Sequence, residues 1–293
     1  MENGRSTAKL EKLIPSLIHI QTHLDGDLAL EQVAQVGGLS PYHFHRLFQA
    51  TTGETVKQYT QRLRLESAAY QLKIRNDSIL EIALNNGFQN HETFSRAFKR
   101  WFGVSPKQYR YSYGRIPEKV AAKVILNKWT TEYQLSNITI QTLKPIPVAF
   151  IRNLGSYQTI DLNLFTKLHQ WIDVNGFNTG DNITLGVGHD DPNITPIDKV
   201  RYDVCVSVAE PFLPDGEIGF QELPGGTFAM ASYVGPFGAT LEQALGELFF
   251  KLMQRKDLEL IGLPLIEVYR TTIVNPEYSL NHTDIFVPVK TTK

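Results

Sequence analysis

Residues 87–110 read GFQNHETFSRAFKRWFGVSPKQYR. Gly87-Phe88 reads as a turn, and Asn90 as the polar cap of an amphipathic run. Phe94, Ala97, Phe98 and Trp101 fall at i, i+3, i+4 and i+7, which predicts the inward face of a helix. Glu92, Ser95, Arg96, Lys99 and Arg100 occupy the other face, and Gly103 with Ser105-Pro106 behind it stops the helix. Upstream, Ile79, Ile82 and Ala83 mark a shorter helix that ends at Asn86-Gly87. Two short helices joined by a glycine-bearing turn, the second basic outside and aromatic inside, predict a helix-turn-helix.

The pattern occurs twice. Gly38 corresponds to Gly87 at an offset of 49, and from the cap onward the offset is 50. Ser40 then aligns with Asn90, Phe44 with Phe94, Arg46 with Arg96, Phe48 with Phe98, Gly53 with Gly103 and Tyr59 with Tyr109. The one-residue difference falls in a turn, where an insertion costs little. A duplicated unit is the economical explanation.

The region from Leu10 to Arg110 resembles the DNA-binding domain of the AraC/XylS family of transcription regulators. Both units and the Phe-x-Arg-x-Phe, Gly-x-Ser-Pro and Tyr-Arg signature at Phe94–Phe98, Gly103–Pro106 and Tyr109-Arg110 carry the resemblance. It implies that Tyr42, His45, Arg46, His91 and Arg96 touch bases or backbone. Gln49, Ser95 and Lys99 complete the expected DNA-binding set. Arginine in the major groove can pair both acceptors of guanine, a contact worth ~1–3 kcal/mol of discrimination. Glu92 departs from a basic face, and would repel phosphate unless it accepts from a cytosine amino group. His43, His45 and His91 do not form a metal site, because residues two apart point to different sides of a helix.

Ahead of the first unit, Leu10 to His23 predicts a packing helix interrupted by Pro15, and Leu28 to Val36 a supporting helix. Val56 to Ile74 predicts a long connecting helix, roughly 28 Å at 1.5 Å per residue. Such a spacer can hold two recognition helices about 34 Å apart, one turn of DNA, without dimerisation.

The chain has 293 residues, 42% of them hydrophobic, enough for two domains with their own cores. No apolar run approaches the ~18 residues of a membrane span, and the N-terminus shows no signal-peptide hydrophobic region. A lone cysteine, Cys205, allows no internal disulfide, and no CxxC pair suggests zinc. These features predict a cytoplasmic, nucleoid-associated protein with no cofactor and no metal. Residues 1–113 carry 14 Lys and Arg against 10 Asp and Glu, a balance of +4; residues 137–293 carry 11 against 18, a balance of −7. Only the first half suits a polyanion. The expected organisation is an all-α tandem helix-turn-helix domain over 1–113, with units at about 28–53 and 78–103. A linker over 114–136 with Lys119, Lys123 and Lys128 follows, then an α+β domain over 137–293.

In the second half the period changes. Alternation over 138–143, 148–151, 183–188, 202–209, 219–223, 227–234, 265–274 and 283–289 predicts strands, and 160–174 and 241–254 predict helices. A fainter repeat at an offset of 80 aligns Ile138 with Ile218, Val148 with Phe228, Gly155 with Gly235, Leu168 with Leu248 and Ile172 with Leu252. Two pseudo-symmetric strand-helix-strand modules imply a groove where they meet. Gly155-Ser-Tyr157, Arg201-Tyr-Asp203, Pro224-Gly-Gly226, Gly235-Pro-Phe237, Glu267-Val-Tyr269 and Ile285-Phe-Val-Pro288 resemble the GyrI-like effector-binding domain. The resemblance implies a small-molecule effector, with a groove acid and surrounding aromatics that capture lipophilic cations.

Glu267 interrupts an otherwise strand-like segment and is the candidate acid; Tyr157, Trp171, Tyr233, Phe237 and Tyr269 are candidate walls. Two other readings of Glu267 are a solvated position and a pair with Arg201. His189-Asp190-Asp191, before Pro192, reads as a capped turn. The function expected is a promoter-binding regulator, an activator working with RNA polymerase and controlled by the effector. The alternatives are a hydrolase-like second half, with Glu267 and Tyr233 or Tyr157 as acid and base, or a ligand-free interaction module.

Overall fold

A computed structural model describes residues 2–113, 133–262, 264–271 and 281–292. The linker lysines Lys119, Lys123 and Lys128, and the end of the strand predicted over 265–274, lie outside the described residues. The chain divides into two compact units.

The helical unit opens with α1 (Glu2–Thr22), which begins earlier than the predicted Leu10 and runs through Pro15. Next to that proline, the Ser16 hydroxyl donates to the Val33 carbonyl at 2.8 Å, tying α1 to α2 (Leu30–Val36). α3 (Pro41–Thr52) and α4 (Val56–Ile74) complete the first unit; α5 (Ile79–Asn85), α6 (His91–Phe102) and α7 (Pro106–Tyr113) form the second. Leu13, Leu17 and Ile20 of α1 share one core with Val33, Ala34, Phe44, Phe48 and Leu63.

The repeat is visible at the level of geometry. Ser40 and Asn90 cap α3 and α6 through side-chain oxygens that accept from the His43 and Thr93 amides. Thr55 and Ser105 do the same for α4 and α7, accepting from Gln58 and Gln108. Phe48 lies 5.4 Å from Phe44 and edge-on to Tyr59 at 5.3 Å, while Phe98 lies 5.4 Å from Phe94 and edge-on to Tyr109 at 5.3 Å. Gly87 sits at φ +72°, and a Cβ there would lie 2.5 Å from the Leu24 carbonyl and 2.7 Å from the Arg64 guanidinium. That guanidinium donates to the Leu24 and Gly26 carbonyls at 2.7 and 2.6 Å, so the second turn packs where only glycine fits.

Trp101 corrects the expected inward face: it is 45% exposed. Phe102 takes the inner position instead, 4.5 Å from Phe98 and 5.3 Å from Tyr109. The docking of α7 shifts the buried stripe by one residue at the helix end.

The rest of the described chain carries a ten-stranded sheet. Its strands are β1 (Gln134–Leu135), β2 (Thr139–Leu143), β3 (Ile146–Leu154), β4 (Thr184–Gly188), β5 (Arg201–Ser207), β6 (Ile218–Leu223), β7 (Gly226–Gly235), β8 (Leu258–Leu260), β9 (Leu265–Tyr269) and β10 (Asn281–Thr291). Helices α8 (Asn163–Val174) and α9 (Ala239–Met253) follow β3 and β7. Strand β1 lies inside the stretch expected to be linker and pairs with β7. The order β7-β10-β9-β4-β5-β3 is antiparallel from β7 to β3 and palindromic, with β2 on β7 and β6 on β3. At the seam Leu185 faces Val268, Gly186 faces Glu267 and Val187 faces Ile266. In these strands the offset becomes 81, matching Asp203 with Asp284 and Gly186 with Glu267, so the pseudo-twofold axis passes through the Gly186–Glu267 pair.

Candidate DNA interface and ligand site

α3 and α6 each bury three side chains, Phe44, Leu47 and Phe48 in one and Phe94, Ala97 and Phe98 in the other. The expected contact set lies among the residues that remain outward. Tyr42, Arg46, Gln49, His91, Arg96 and Lys99 are exposed, and His45 and Ser95 are half-buried at equivalent positions. The guanidinium of Arg46 lies 5.8 Å from the ring centroid of Tyr42, an aromatic support. In α6 the ring of His91 approaches the Ser95 hydroxyl at 3.4 Å. Aromatic and aliphatic packing behind each helix thus presents a polar face that can enter a groove.

In the sheet, strand alternation puts Glu267, Tyr269, Gly186 and Tyr202 on one face. The hydroxyls of Tyr202 and Tyr269 donate to the same carboxylate oxygen of Glu267, Oε2, at 2.7 and 2.6 Å, and contact each other. Oε1 has no protein donor among the described residues, and no described cation pairs with Glu267. Burial pushes the Glu267 carboxyl above the usual carboxylate range, against the two tyrosine hydrogen bonds. Burial and the neighbouring Glu267 push both tyrosine hydroxyls upward, so they remain donors.

Gly186 makes this cluster possible. A Cβ at that position would lie 1.7 Å from the Tyr202 hydroxyl and 2.6 Å from that of Tyr269. The position opposite Glu267 is empty of side chain, and the two phenols fill it.

Rings close around the cluster. Tyr157 packs edge-on to Tyr202 at 5.7 Å; Phe237 and Phe165 pack edge-on to Tyr269 at 5.7 and 5.5 Å. Tyr157 and Phe237 are counterparts under the offset of 80, so the two modules each supply one wall. Of the candidate walls, Tyr157, Phe237 and Tyr269 gather here. Two do not. Trp171 stacks on Phe177 at 5.4 Å, and fully buried Tyr233 bonds the Pro236 carbonyl beside Tyr133. Tyr202 and Phe165 are the residues that the sequence did not single out.

The solvated and Arg201-paired readings of Glu267 are both corrected. Glu267 is 6% exposed, and Arg201 pairs with Asp190 at 2.6 Å. The segment read as a capped turn does more than turn: Asp191 caps it by accepting from the Asn193 amide, while His189 and Asp190 enter buried ion networks. On the opposite sheet face, Arg152 and His189 hold the fully buried Asp203 at 2.7 Å each. Burial alone would raise the Asp203 carboxyl, but Arg152 and His189 outweigh it and hold it far below the usual range. Burial lowers the His189 imidazole despite Asp203, so Arg152 supplies the charge.

Among the described residues no group of His, Cys, Asp and Glu could hold a metal ion, and no helix is long and apolar enough to cross a membrane. Residues 136–290 match the family described as GyrI-like small molecule binding domain, and residues 33–112 the family described as helix-turn-helix domain. Transcriptional regulator Rob of Salmonella typhimurium is 28% identical over 232 residues, covering 75% of this chain and 76% of that protein. The right origin-binding protein of Escherichia coli (strain K12) is 40% identical over 96 residues, 33% of each chain. The multiple antibiotic resistance protein MarA of Salmonella typhimurium is 36% identical over 91 residues, 31% of this chain and 72% of its own.

Proposed function

We propose, for a chain that belongs to the GyrI-like small molecule binding domain family and carries an AraC-type helix-turn-helix domain, that a lipophilic cation bound beside Glu267 controls its action at promoters. The chain is a DNA-binding transcription regulator with a small-molecule binding domain. Beyond that, we read it as a cytoplasmic activator that works with RNA polymerase and carries out no reaction of its own. DNA is read by residues 1–113 through Tyr42, His45, Arg46, Gln49, His91, Ser95, Arg96 and Lys99, and the effector is held in 137–293.

One observation carries the effector class. A buried carboxylate receives both tyrosine hydroxyls on one oxygen, leaves the other without a described donor, and has aromatic edges and faces around it. Burying such a group costs several kcal/mol unless a counter-charge arrives. A cation with an apolar surface supplies that charge and fills the rings' faces. Tyr157, Phe237 and Phe165 are the expected walls, with Tyr202 and Tyr269 orienting the carboxylate. The ligand acts on transcription only by favouring one state of the whole protein over another.

Tetraphenylphosphonium titrated into the full chain should bind, and Glu267→Gln should weaken it ~30-fold or more, the cost of removing one partner of a desolvated pair. The sign of the pH effect follows from the raised carboxyl. The cation needs the ionised form, so wild-type affinity rises as pH climbs through the raised pKa, and the Gln variant stays flat. In vitro transcription from a selected promoter should change with the cation in wild type and not in the variant. Equal binding by both proteins, or none by wild type at any pH, contradicts the assignment.

A further inference from the structure

The two recognition helices differ in charge at their second position. Where α3 carries Tyr42, 73% exposed and beneath Arg46, α6 carries Glu92, exposed in the first helical turn. Glu92 and Arg96 stand at i and i+4, the spacing and order that favour an ion pair. Neither makes a hydrogen bond or ion pair among the described residues. A carboxylate and a guanidinium thus project side by side from the outer face of α6, each with its bonding capacity unused.

We infer that Glu92 is a specificity-determining residue, accepting from the N4 amino group of a cytosine in the segment that the second unit reads. This rests on the DNA-binding reading above. A recognition helix brings its N-terminal residues to the base edges, with the phosphates to either side. Glu92 is the second residue of α6 and so stands among those N-terminal residues. In the major groove only cytosine and adenine offer amino donors, and adenine sets an acceptor beside its own. A carboxylate has nothing to give that acceptor, so cytosine is the partner. Arg96, one turn along, takes guanine by the same logic. The second unit then prefers a G·C-bearing step with a fixed order, and the first unit, with Tyr42 in the equivalent place, imposes no such rule. A carboxylate in the first turn also favours the helix dipole. That role stabilises α6 without choosing a base, so base choice is the deciding readout.

The full chain and its Glu92→Gln and Glu92→Ala variants would be used to select duplexes from a random pool at one salt concentration. Wild type should enrich cytosine at one position of the second box, ~5-fold or more over other bases. Glu92→Gln should move that preference to adenine, whose N6 and N7 glutamine pairs together, and Glu92→Ala should flatten it. The first box should not change. If both variants instead keep the wild-type sequence preference and bind all duplexes more tightly, Glu92 only repels phosphate and the inference is overturned. If wild type enriches no site at all, the DNA-reading premise fails rather than the role of Glu92.

Discussion

Gly186→Ala is expected to lower the melting temperature of the full chain by about 5–15 °C and to abolish tetraphenylphosphonium binding, while leaving the selected DNA site unchanged. The added Cβ lies 1.7 Å from the Tyr202 hydroxyl and 2.6 Å from that of Tyr269. Neither phenol can retreat and still reach Glu267, which each now meets at 2.7 Å or less. Hydrogen bonds to a charged group contribute ~1.5–3 kcal/mol each, and the stranded carboxylate adds its own desolvation cost. A loss of about 3 kcal/mol in a unit of this size corresponds to the stated shift in melting temperature. Gly188→Ala supplies the control, because its Cβ would come no closer than 3.5 Å to the Tyr157 hydroxyl, 3.7 Å to its ring and 4.0 Å to the Leu265 Cβ, all ordinary contacts. Scanning calorimetry on both variants distinguishes a specific clash from general intolerance of side chains in β4. An unchanged transition for Gly186→Ala contradicts the described packing.

Asp203→Asn is expected to cost about 3–5 kcal/mol, the usual result of breaking a buried ion pair from one side. Arg152 loses the counter-charge that it holds through two hydrogen bonds of 2.7 Å, and one acceptor oxygen remains for the three contacts that Arg152 and His189 now make. The pseudo-twofold axis provides a comparison within the molecule. Asp284, the counterpart of Asp203, accepts from Ser232 and Arg270, and Arg270 is half exposed. Solvent already serves that pair, so Asp284→Asn should cost less. The pH signature has a definite sign. A carboxyl depressed in the folded state contributes stability above its ordinary value, about 3.9, and loses it as pH falls towards the folded value. Wild-type stability should therefore drop below about pH 4 by an increment that Asp203→Asn lacks. Equal acid profiles for the two proteins contradict that role for Asp203.

Local chemistry made the helical unit legible. Glycine turns, polar caps and aromatic spacing act over a few residues, and duplication displayed each of them twice. Trp101 escapes that pattern because a distant element, α7, decides which residue of the last turn is covered. The second unit yielded its modules through the offset of 80 but hid part of its site. Tyr202 lies in Arg201–Ser207, where the first six residues are all buried and alternation cannot reveal a face. Only the pairing of β5 with β4, and of β4 with β9, sets Tyr202 against Glu267. Gly186 was silent for the same reason, since its importance lies in what stands opposite it. Trp171 and Tyr233 fit the site only by residue type, and the fold uses them elsewhere.

The most direct measurement is selection of the full chain, at fixed salt, against a pool of random duplexes, repeated with Arg46→Ala and Arg96→Ala. One enriched site of two unlike boxes about one helical turn apart, occupied by a single chain, is the expected result. Each arginine substitution should relax one guanine in one box, a change of ~5–150-fold. Enrichment of nothing, or of a site indifferent to both arginines, contradicts a tandem reader built on α3 and α6.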